Sequence, residues 1–257
     1  MFSELLDVAG EAARAAAAVL LERFGAEGVD VRAKSTPTDL VSAADLEAER
    51  ALRAALAARR PGDAVLGEEG GDLGGGEGGL RWVVDPLDGT VNFLFGIPHW
   101  CVSVACEDSD GALVGVVHDP LREETFAAAR GGPATLNGVP VRASARDELT
   151  TAMVATGFGY DAELRAAQAR VAARVLPRVR DLRRFGSAAL DLAWTACGRY
   201  DAYFERGLNP WDRAAGALLC RRAGLELREL APDGVLPGGL LVAPAALIGP
   251  LGELVGS

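Results

Sequence analysis

Apolar residues recur at helical spacing in two stretches near the N-terminus of the chain. The first stretch covers residues 3–24 and is followed by Gly25, and the second runs from residue 42 to residue 60 and is followed by Pro61-Gly62. Apolar positions three or four residues apart are typical of an amphipathic helix. Glycine or proline directly after the last apolar position favours a helix end. The pattern therefore predicts two helices.

Short apolar runs follow, separated by turn-forming residues. They predict strands at residues 64–67, 81–84, 100–107, 112–118 and 124–129. The last three predicted strands are separated only by Asp108-Ser109-Asp110-Gly111 and by a segment that begins with Asp119-Pro120. Such hairpin-like spacing indicates an antiparallel sheet.

The pattern changes after residue 147, where predicted strands and helices alternate. The order is strand 152–156, helix 162–176, strand 181–185, helix 187–198, strand 201–205, helix 211–223 and strand 225–229. This alternation is typical of βαβ crossovers and a largely parallel sheet. We therefore expect an α+β half at residues 1–147 and an α/β half at residues 148–257.

Two segments lack an apolar period and are predicted as loops. Residues 34–40 contain Ser, Thr and Pro between the two N-terminal helices, and residues 70–79 consist mainly of glycine. Glycine-rich segments behave as flexible chains. We expect residues 70–79 to form a flexible surface loop.

Composition and charge narrow the functional class. The chain has 257 residues, 49% of them hydrophobic, and a formal net charge of −10. A net negative charge argues against a nucleic-acid-binding surface, which is normally basic. The N-terminus lacks the basic start of a signal peptide, and the apolar run at residues 15–21 is too short to cross a bilayer. We expect a cytoplasmic protein with no membrane partner and no nucleic-acid ligand.

The four cysteines suggest no metal or redox motif. Cys101, Cys106, Cys197 and Cys220 lie in apolar segments, and no pair has the CxxC spacing of zinc ribbons or thioredoxin-like proteins. We expect buried free thiols, as in proteins of a reducing compartment.

The most informative stretch is an apolar strand that leads into Asp85-Pro86-Leu87-Asp88-Gly89-Thr90. Carboxylates about 4 Å apart repel by roughly 4 kcal/mol at an effective dielectric constant of about 20, so a bound cation stabilises such a pair. Oxygen donors without nearby His or Cys suit Mg²⁺ or Mn²⁺. A strand followed by an ordinary Asp-Gly turn is the alternative interpretation.

Three further acids, Asp45, Glu68 and Asp212, also lie at the ends of predicted elements. Asp212 begins a predicted helix, where an acid can simply offset the helix dipole. Asp45 can likewise act as a capping residue at a helix start. Taken one at a time, these acids leave both the structural and the functional interpretation open.

Six motifs occur in order between residues 34 and 224. They are Lys34-x4-Asp39-Leu40-Val41-Ser42-x2-Asp45, Gly67-Glu68-Glu69, Asp85-Pro86-Leu87-Asp88-Gly89-Thr90-x-Asn92-Phe93, Arg184-x-Gly186-Ser187-Ala188-Ala189, Asp201-Ala202-Tyr203-x-Glu205 and Trp211-Asp212-x2-Ala215-Gly216. Together they resemble the inositol monophosphatase family of magnesium-dependent, lithium-sensitive phosphatases, in a bacterial form. The resemblance implies a layered αβαβα sandwich, with an antiparallel sheet in the N-terminal half and a mostly parallel or mixed sheet in the C-terminal half.

The resemblance also implies a set of metal ligands. Glu68 and Asp85, with the Leu87 carbonyl, would hold a first Mg²⁺. Asp85, Asp88 and Asp212 would hold a second ion, and Glu68 would face a third. Two or three Mg²⁺ ions are therefore expected, with Mn²⁺ as a substitute.

The same resemblance assigns the attacking water to Thr90 and Glu68. Thr90, hydrogen-bonded to Asp45, would orient the water together with Glu68, which would also help to deprotonate it. Lys34 and Asp39 would belong to a supporting loop that metal binding orders.

A small phosphorylated polyol is the implied substrate, and a homodimer the implied assembly. The segment Thr156-Gly157-Phe158-Gly159-Tyr160 would lie near the opening of the site. The residues implied to contact the substrate are Asp88, Gly89, Thr90, Gly186, Ser187, Ala188, Glu205 and Asp212.

These observations predict hydrolysis of inositol 1-phosphate, or of a similar polyol phosphate, by direct attack of water. Histidinol phosphate and fructose 1,6-bisphosphate are the nearest alternative substrates, followed by an adenosine bisphosphate. A non-catalytic RNA or RNA-polymerase partner on the same fold is the alternative of another class. A metal-dependent lyase or nuclease on another fold is a third. The residues lack the nucleophile settings of histidine, cysteine and aspartyl-phosphate phosphatases.

Overall fold

The computed structural model describes residues 1–25, 31–33, 40–73 and 79–256. The N-terminal half contains α1 (Phe2–Arg23), β1 (Val31–Ala33), β2 (Leu40–Ser42), α2 (Ala43–Arg59), β3 (Ala64–Gly67), β4 (Gly71–Leu73), β5 (Arg81–Asp88), α3 (Thr90–Leu94), β6 (Cys101–Asp108), β7 (Gly111–Asp119), β8 (Glu124–Ala129), β9 (Thr135–Leu136) and β10 (Val139–Pro140). The C-terminal half contains β11 (Met153–Thr156), α4 (Ala162–Val175), β12 (Asp181–Arg183), α5 (Ala188–Ala196), β13 (Ala202–Arg206), α6 (Pro210–Arg222), β14 (Glu226–Leu230), β15 (Gly239–Ala243) and α7 (Ala245–Val255), with short 3-10 helices at Leu149–Thr151 and Leu176–Arg178.

The first large sheet has the strand order β10-β9-β8-β7-β6-β5-β3-β4. Its neighbouring strands pair antiparallel, except that β3 and β5 run parallel. Short turns join β6, β7 and β8, as the close spacing of their apolar runs predicted. The antiparallel sheet of the N-terminal half is confirmed.

The second large sheet has the order β12-β11-β13-β15-β14 and is mixed. Strand β11 pairs parallel with β12 and β13, as βαβ alternation predicts. Strand β15 pairs antiparallel with both β13 and β14, so the sheet is not largely parallel; it is mixed, which confirms the second of the two arrangements implied by the resemblance. The chain returns after β14 and inserts β15 beside β13. Gly239 permits the close approach of β15 to β13, because a Cβ at this position would overlap the Glu205 carbonyl oxygen.

Helices and sheets form five layers. Helices α1 and α2 share a buried apolar cluster with one face of the first sheet. Helices α5 and α6 lie between the two sheets and contribute to a second cluster. Helices α4 and α7 cover the outer face of the second sheet. The predicted αβαβα sandwich is confirmed.

Two predicted loops contain residues of short strands. The expectation of an unstructured loop at residues 70–79 is wrong at its start, because β4 pairs antiparallel with β3. Leu40, expected in a loop, belongs to β2, which pairs with β1. The division at residue 147 stays a prediction, although both halves contribute side chains to the middle apolar cluster.

In the described part of the chain, no helix is both apolar and long enough to span a membrane.

Candidate active site

A β-bulge in β5 places Asp85 and Asp88 on the same face of the first sheet. Asp85 pairs with Ser103 and Asp88 with Cys101, so β5 contains one more residue than β6 between these pairs. Residues three apart on a regular strand point to opposite faces, and one inserted residue reverses that relation. Leu87 instead packs into the apolar cluster beside α1 and α2. Both aspartates therefore face the layer that contains α6.

The strand ends at a turn that only glycine fits. Gly89 has φ of +100°, and a Cβ there would lie 3.0 Å from the His99 carbonyl oxygen. The next residue, Thr90, begins α3, and its Oγ1 lies 2.9 Å from Asp45 Oδ1 and 3.1 Å from the Leu87 carbonyl oxygen. Asp45 is only 1% exposed. The turn thus connects the aspartate pair to α2.

The acids line a cavity of about 300 Å³ between the two halves of the chain. The sequence-predicted ligands and substrate contacts that line it are Glu68, Asp85, Leu87, Asp88, Gly89, Thr90, Gly186, Ser187, Ala188, Glu205 and Asp212. The segment Gly157-Phe158-Gly159-Tyr160, expected near the opening, also lines it. Asp45 is not among the residues that line the cavity, but it accepts a hydrogen bond from Thr90, which is one of them. Lys34 and Asp39 lie outside the described residues.

Asp212 comes to the cavity at the first turn of α6. It is the third helical residue, and its Oδ2 accepts a hydrogen bond of 2.7 Å from the Asn209 backbone N–H. The Asn209 side chain accepts in return from the Asp212 backbone, which completes a capping box. Asp212 thus lies in the first turn of a helix, as its structural interpretation assumed, and the same carboxylate also faces the other acids.

Asp88 is held from the opposite wall by the start of α5. Its Oδ2 accepts hydrogen bonds from Ser187 Oγ at 2.6 Å and from the Ala189 backbone N–H at 2.7 Å. These bonds link the bulge of the first sheet to the C-terminal half. They also fix one carboxylate oxygen of Asp88, much as the Leu87 N–H fixes Oδ1 of Asp85 at 3.0 Å.

Burial and mutual repulsion dominate the electrostatics of this cavity. Burial raises the pKa of Asp85 well above its usual range, and the charges of Glu68, Asp88 and Asp212 raise it further. Burial raises the pKa of Asp88 to about 6, against the lowering effect of the Ser187 hydrogen bond. Burial, and then the charge of Asp88, raise the pKa of Asp212. Positive charge in the cavity would reverse these shifts.

The donor set fits a hard divalent cation. Six carboxylates line the cavity, among them the four predicted ligands Glu68, Asp85, Asp88 and Asp212, and no His or Cys occurs among its described lining residues. Within the described ranges, no three His, Cys, Asp or Glu side chains form a ready-made metal cluster. Because buried carboxylates repel one another, a cation is needed to draw them to ligand distance.

Glu205 lies on the cavity wall opposite the aspartates. Its Oε2 accepts a hydrogen bond of 2.7 Å from the hydroxyl of Tyr203, a fully buried side chain. Burial raises the pKa of Glu205 to about 7, while the Tyr203 hydrogen bond lowers it and the charge of Asp88 raises it. Gly157 packs so closely on the Glu205 carboxylate that a Cβ there would overlap it.

Sequence reasoning missed two charged residues whose charges act on Glu205 or respond to it. Arg184 belongs to one of the six motifs but has no predicted role, yet it lines the cavity and its charge opposes the pKa increase of Glu205. Asp191 is 1% exposed, and burial and the charge of Glu205 raise its pKa well above the usual range. The sequence could have indicated a role for Arg184, because it lies two residues before Gly186 in the same motif. Nothing in the sequence distinguishes Asp191 from an ordinary polar residue of a helix.

The chain is similar to known proteins along most of its length. The profile of the inositol monophosphatase family matches residues 1–249. The inositol-1-monophosphatase of Mycobacterium leprae is 48% identical over 229 residues, which cover 86% of this chain and 79% of that protein. The Nus factor SuhB of Escherichia coli is 39% identical over 221 residues, covering 86% and 83% of the two chains.

Solved structures show the same relationship. The extragenic suppressor protein suhB from Bartonella henselae superposes with a TM-score of 0.91 at 34% identity, covering 98% of each chain. Inositol monophosphatase from Anabaena gives a TM-score of 0.85 at 34% identity, covering 98% of this chain and 95% of that one. The match over residues 1–249 and these similarities show that the chain belongs to the inositol monophosphatase family.

Proposed function

We propose that this protein is a Mg²⁺-dependent phosphomonoesterase that hydrolyses inositol 1-phosphate or a similar small polyol phosphate by direct attack of water. The observation that carries the proposal is that Glu68, Asp85, Asp88 and Asp212, from separate parts of the chain, line one cavity. Burying these acids together is unfavourable without a counter-charge. Membership of the inositol monophosphatase family supports the phosphatase class.

The acids and the Leu87 carbonyl would hold two or three Mg²⁺ ions, or Mn²⁺ in their place. Bound ions would supply positive charge to the phosphate oxygens and to the leaving alkoxide, and would lower the pKa of a water molecule. The ligand assignments follow the family resemblance. Asp88 and Asp212 are each fixed through Oδ2 by a hydrogen bond, which limits the directions in which they can coordinate.

Thr90 and Glu68 would place the attacking water. When Thr90 Oγ1 donates to Asp45, at 2.9 Å, the lone pairs of the hydroxyl can accept a hydrogen bond from water. Glu68, on the same cavity, would accept the proton that the water loses. Asp45 would then act as a positioning residue.

The remaining wall would bind the substrate. The backbone N–H groups of Gly89 and Thr90 would donate to phosphate oxygens. Ser187, Ala188 and Glu205 line the cavity where the polyol hydroxyls would lie. A carboxylate acceptor such as Glu205 suits an uncharged, hydroxylated leaving group, and it also tolerates a cationic one.

Phosphate release from four substrates tests the proposal. The purified protein is assayed with inositol 1-phosphate, histidinol phosphate, fructose 1,6-bisphosphate and adenosine 3′,5′-bisphosphate, with Mg²⁺ or with EDTA. We expect the highest kcat/KM for inositol 1-phosphate and no turnover in EDTA. A higher kcat/KM for histidinol phosphate would refute the proposed substrate. Turnover that EDTA does not reduce would refute the metal dependence.

A second candidate is a non-catalytic role beside RNA polymerase. It is retained because relatives with 45%, 42% and 39% identity carry the name Nus factor SuhB. The net charge of −10 gives no support for direct RNA binding. Binding of purified RNA polymerase that Asp85→Asn leaves unchanged, together with no hydrolysis of any of the four substrates, would favour this candidate.

We also propose a homodimer located in the cytoplasm. The dimer is supported by family resemblance, and the exposed side chains of Phe95, Ile97 and Phe185 offer apolar surface for a contact. Sedimentation velocity at micromolar concentration should show a species of twice the chain mass. A single monomeric species would contradict the dimer.

A further inference from the structure

Helix α2 has three charged side chains on one face, Asp45, Glu49 and Arg53. Positions four residues apart share a helix face. Asp45 and Glu49 are only 1% and 3% exposed. Acidic side chains are rarely buried to this extent unless they are paired or hydrogen-bonded. Asp45 contacts Thr90, whereas Glu49 has no part in the chemistry proposed above.

Glu49 uses both of its carboxylate oxygens to hold the chain that follows β3. Its Oε2 accepts a hydrogen bond of 2.8 Å from the Glu69 backbone N–H. Its Oε1 accepts 2.8 Å from the Gly70 backbone N–H and 2.6 Å from Arg53 Nε. Because Glu69 and Gly70 are remote from α2 in the sequence, these bonds tie the helix to the turn.

Arg53 holds the same turn from its two ends. Its guanidinium donates to the Val65 carbonyl oxygen at 3.4 Å and to the Gly71 carbonyl oxygen at 3.1 Å. The ion pair with Glu49 leaves the Arg53 side chain 16% exposed. Together the two side chains contact backbone groups on both sides of Glu68.

Two glycines make room for this ion pair. A Cβ at Gly67 would lie 2.7 Å from Arg53 Nη2 and 2.8 Å from Glu49 Oε1. A Cβ at Gly70 would lie 2.5 Å from Glu49 Oε1. These distances are shorter than van der Waals contact, so any larger residue would push the carboxylate away. Gly67 and Gly70 flank Glu68-Glu69 in the chain.

We propose that Glu49 and Arg53 are positioning residues for Glu68. Their buried ion pair fixes the backbone at residues 67–71, and this backbone directs the Glu68 side chain into the cavity. The inference rests on the proposed function, in which Glu68 is a metal ligand. Helix α2 then positions two parts of the site, Thr90 through Asp45 and Glu68 through Glu49.

Mn²⁺ binding to the metal-free protein, measured by titration calorimetry without substrate, tests the proposal. Glu49→Gln replaces one acceptor oxygen by an NH₂ group, which cannot accept from a backbone N–H and leaves Arg53 without its counter-charge. We expect Mn²⁺ binding to weaken about ten- to a hundredfold, as when other groups that orient a metal ligand are removed. Gly70→Ala should also weaken Mn²⁺ binding, because its Cβ would displace the Glu49 carboxylate. This variant is measured instead if Glu49→Gln does not fold.

Glu47→Gln is the matched control on the same helix. Glu47 pairs with Arg23 and is 34% exposed at its side chain, so its loss should leave Mn²⁺ affinity unchanged. Amide hydrogen exchange gives an independent readout, because the N–H groups of Glu69 and Gly70 should exchange faster in Glu49→Gln. A merely structural role would lower Tm and leave the Mn²⁺ affinity of the folded variant unchanged.

Three outcomes separate this inference from the function it rests on. Wild-type Mn²⁺ affinity in Glu49→Gln, with weakened binding in Glu68→Gln, would overturn the positioning role alone. Unchanged affinity in Glu68→Gln would overturn both the ligand assignment and the inference. Weakened Mn²⁺ binding in Glu49→Gln, in a protein that hydrolyses no phosphate ester, would support the inference and refute the proposed function.

Discussion

Gly157 offers a way to move Glu205 without changing it. A Cβ at Gly157 would overlap the carboxylate carbon and both oxygens of Glu205. The backbone of Gly157 lies outside the left-handed region, so alanine is compatible with its conformation. Gly157→Ala should therefore displace the Glu205 carboxylate and break its hydrogen bond with Tyr203.

The expected loss follows from the contact that Glu205 would make with a substrate hydroxyl. A hydrogen bond to a charged group contributes about 1.5–3 kcal/mol. Loss of this contact in the transition state lowers kcat/KM for inositol 1-phosphate by about ten- to a hundredfold. A phosphate ester without polyol hydroxyls does not depend on Glu205 in this way.

Steady-state phosphate release provides the assay. Gly157→Ala should lower kcat/KM for inositol 1-phosphate and should change kcat/KM for p-nitrophenyl phosphate by less than about twofold, since that ester makes no hydroxyl contact. Gly132→Ala is the matched control, because a Cβ at Gly132 has no neighbour within 4 Å. It should leave both substrates unaffected.

A double-mutant cycle separates displacement of Glu205 from any other effect. Glu205→Ala removes the carboxylate and leaves space for a Cβ at position 157. In that background, Gly157→Ala should cause no further loss of kcat/KM. A further tenfold loss would show that displacement of Glu205 is not the cause. An unchanged kcat/KM in Gly157→Ala alone would refute the hydroxyl contact.

Three further perturbations test the metal site, the buried acids and the turn. Asp85→Asn keeps an oxygen that can accept from the Leu87 N–H, so circular dichroism should show an intact fold while kcat falls by several orders of magnitude; retained turnover would exclude Asp85 as a ligand. The pKa of Glu205 is about 7 in the folded protein against an ordinary 4.5, so the folded state binds the proton more tightly. In EDTA, urea titrations should therefore show a contribution of Glu205 to stability that is full below pH 4.5 and falls by up to about 3 kcal/mol towards pH 7, in the same direction as the contributions of Asp85, Asp88 and Asp212. Glu205→Gln should remove its share and make the slope shallower, whereas an unchanged slope or one of the opposite sign would contradict the assignment. Gly89→Ala and Gly111→Ala both place a side chain at φ near +100°, but only the first meets neighbours. Both should lose about 1–2 kcal/mol of unfolding free energy, and Gly89→Ala about 1–3 kcal/mol more; equal losses would contradict the close approach at His99.

Motif order predicted which acids meet, but spacing alone could not. Asp85 and Asp88 are three residues apart, and a regular strand would direct them to opposite faces. The bulge in β5 reverses this, and Pro86 within it is compatible with a break in the strand ladder. The local sequence shows the proline but not the register of the partner strand. The meeting of Asp85 and Asp88 on one face was therefore predicted from the six motifs taken together, and not from the spacing of the two aspartates.

Strand β15 and its antiparallel pairing were not predicted, because strand order depends on contacts that the local sequence does not show. Strand β15 is fully buried, and its place between β13 and β14 follows from pairing with strands on both sides. Helical alternation up to α6 favours one more parallel crossover. Nothing in the local pattern of residues 225–255 distinguishes that crossover from an antiparallel return, because the choice depends on contacts between distant segments.

The Glu49–Arg53 ion pair is buried, although its spacing in the sequence is typical of an exposed pair. An acid and an arginine four residues apart on a helix normally form an exposed ion pair that contributes little to stability. Here the turn at residues 67–71 covers the pair, so the contacts that bury it also orient Glu68. Stability and metal affinity should therefore change together when Glu49 is altered. At Glu47, whose ion pair lies at the surface, neither should change.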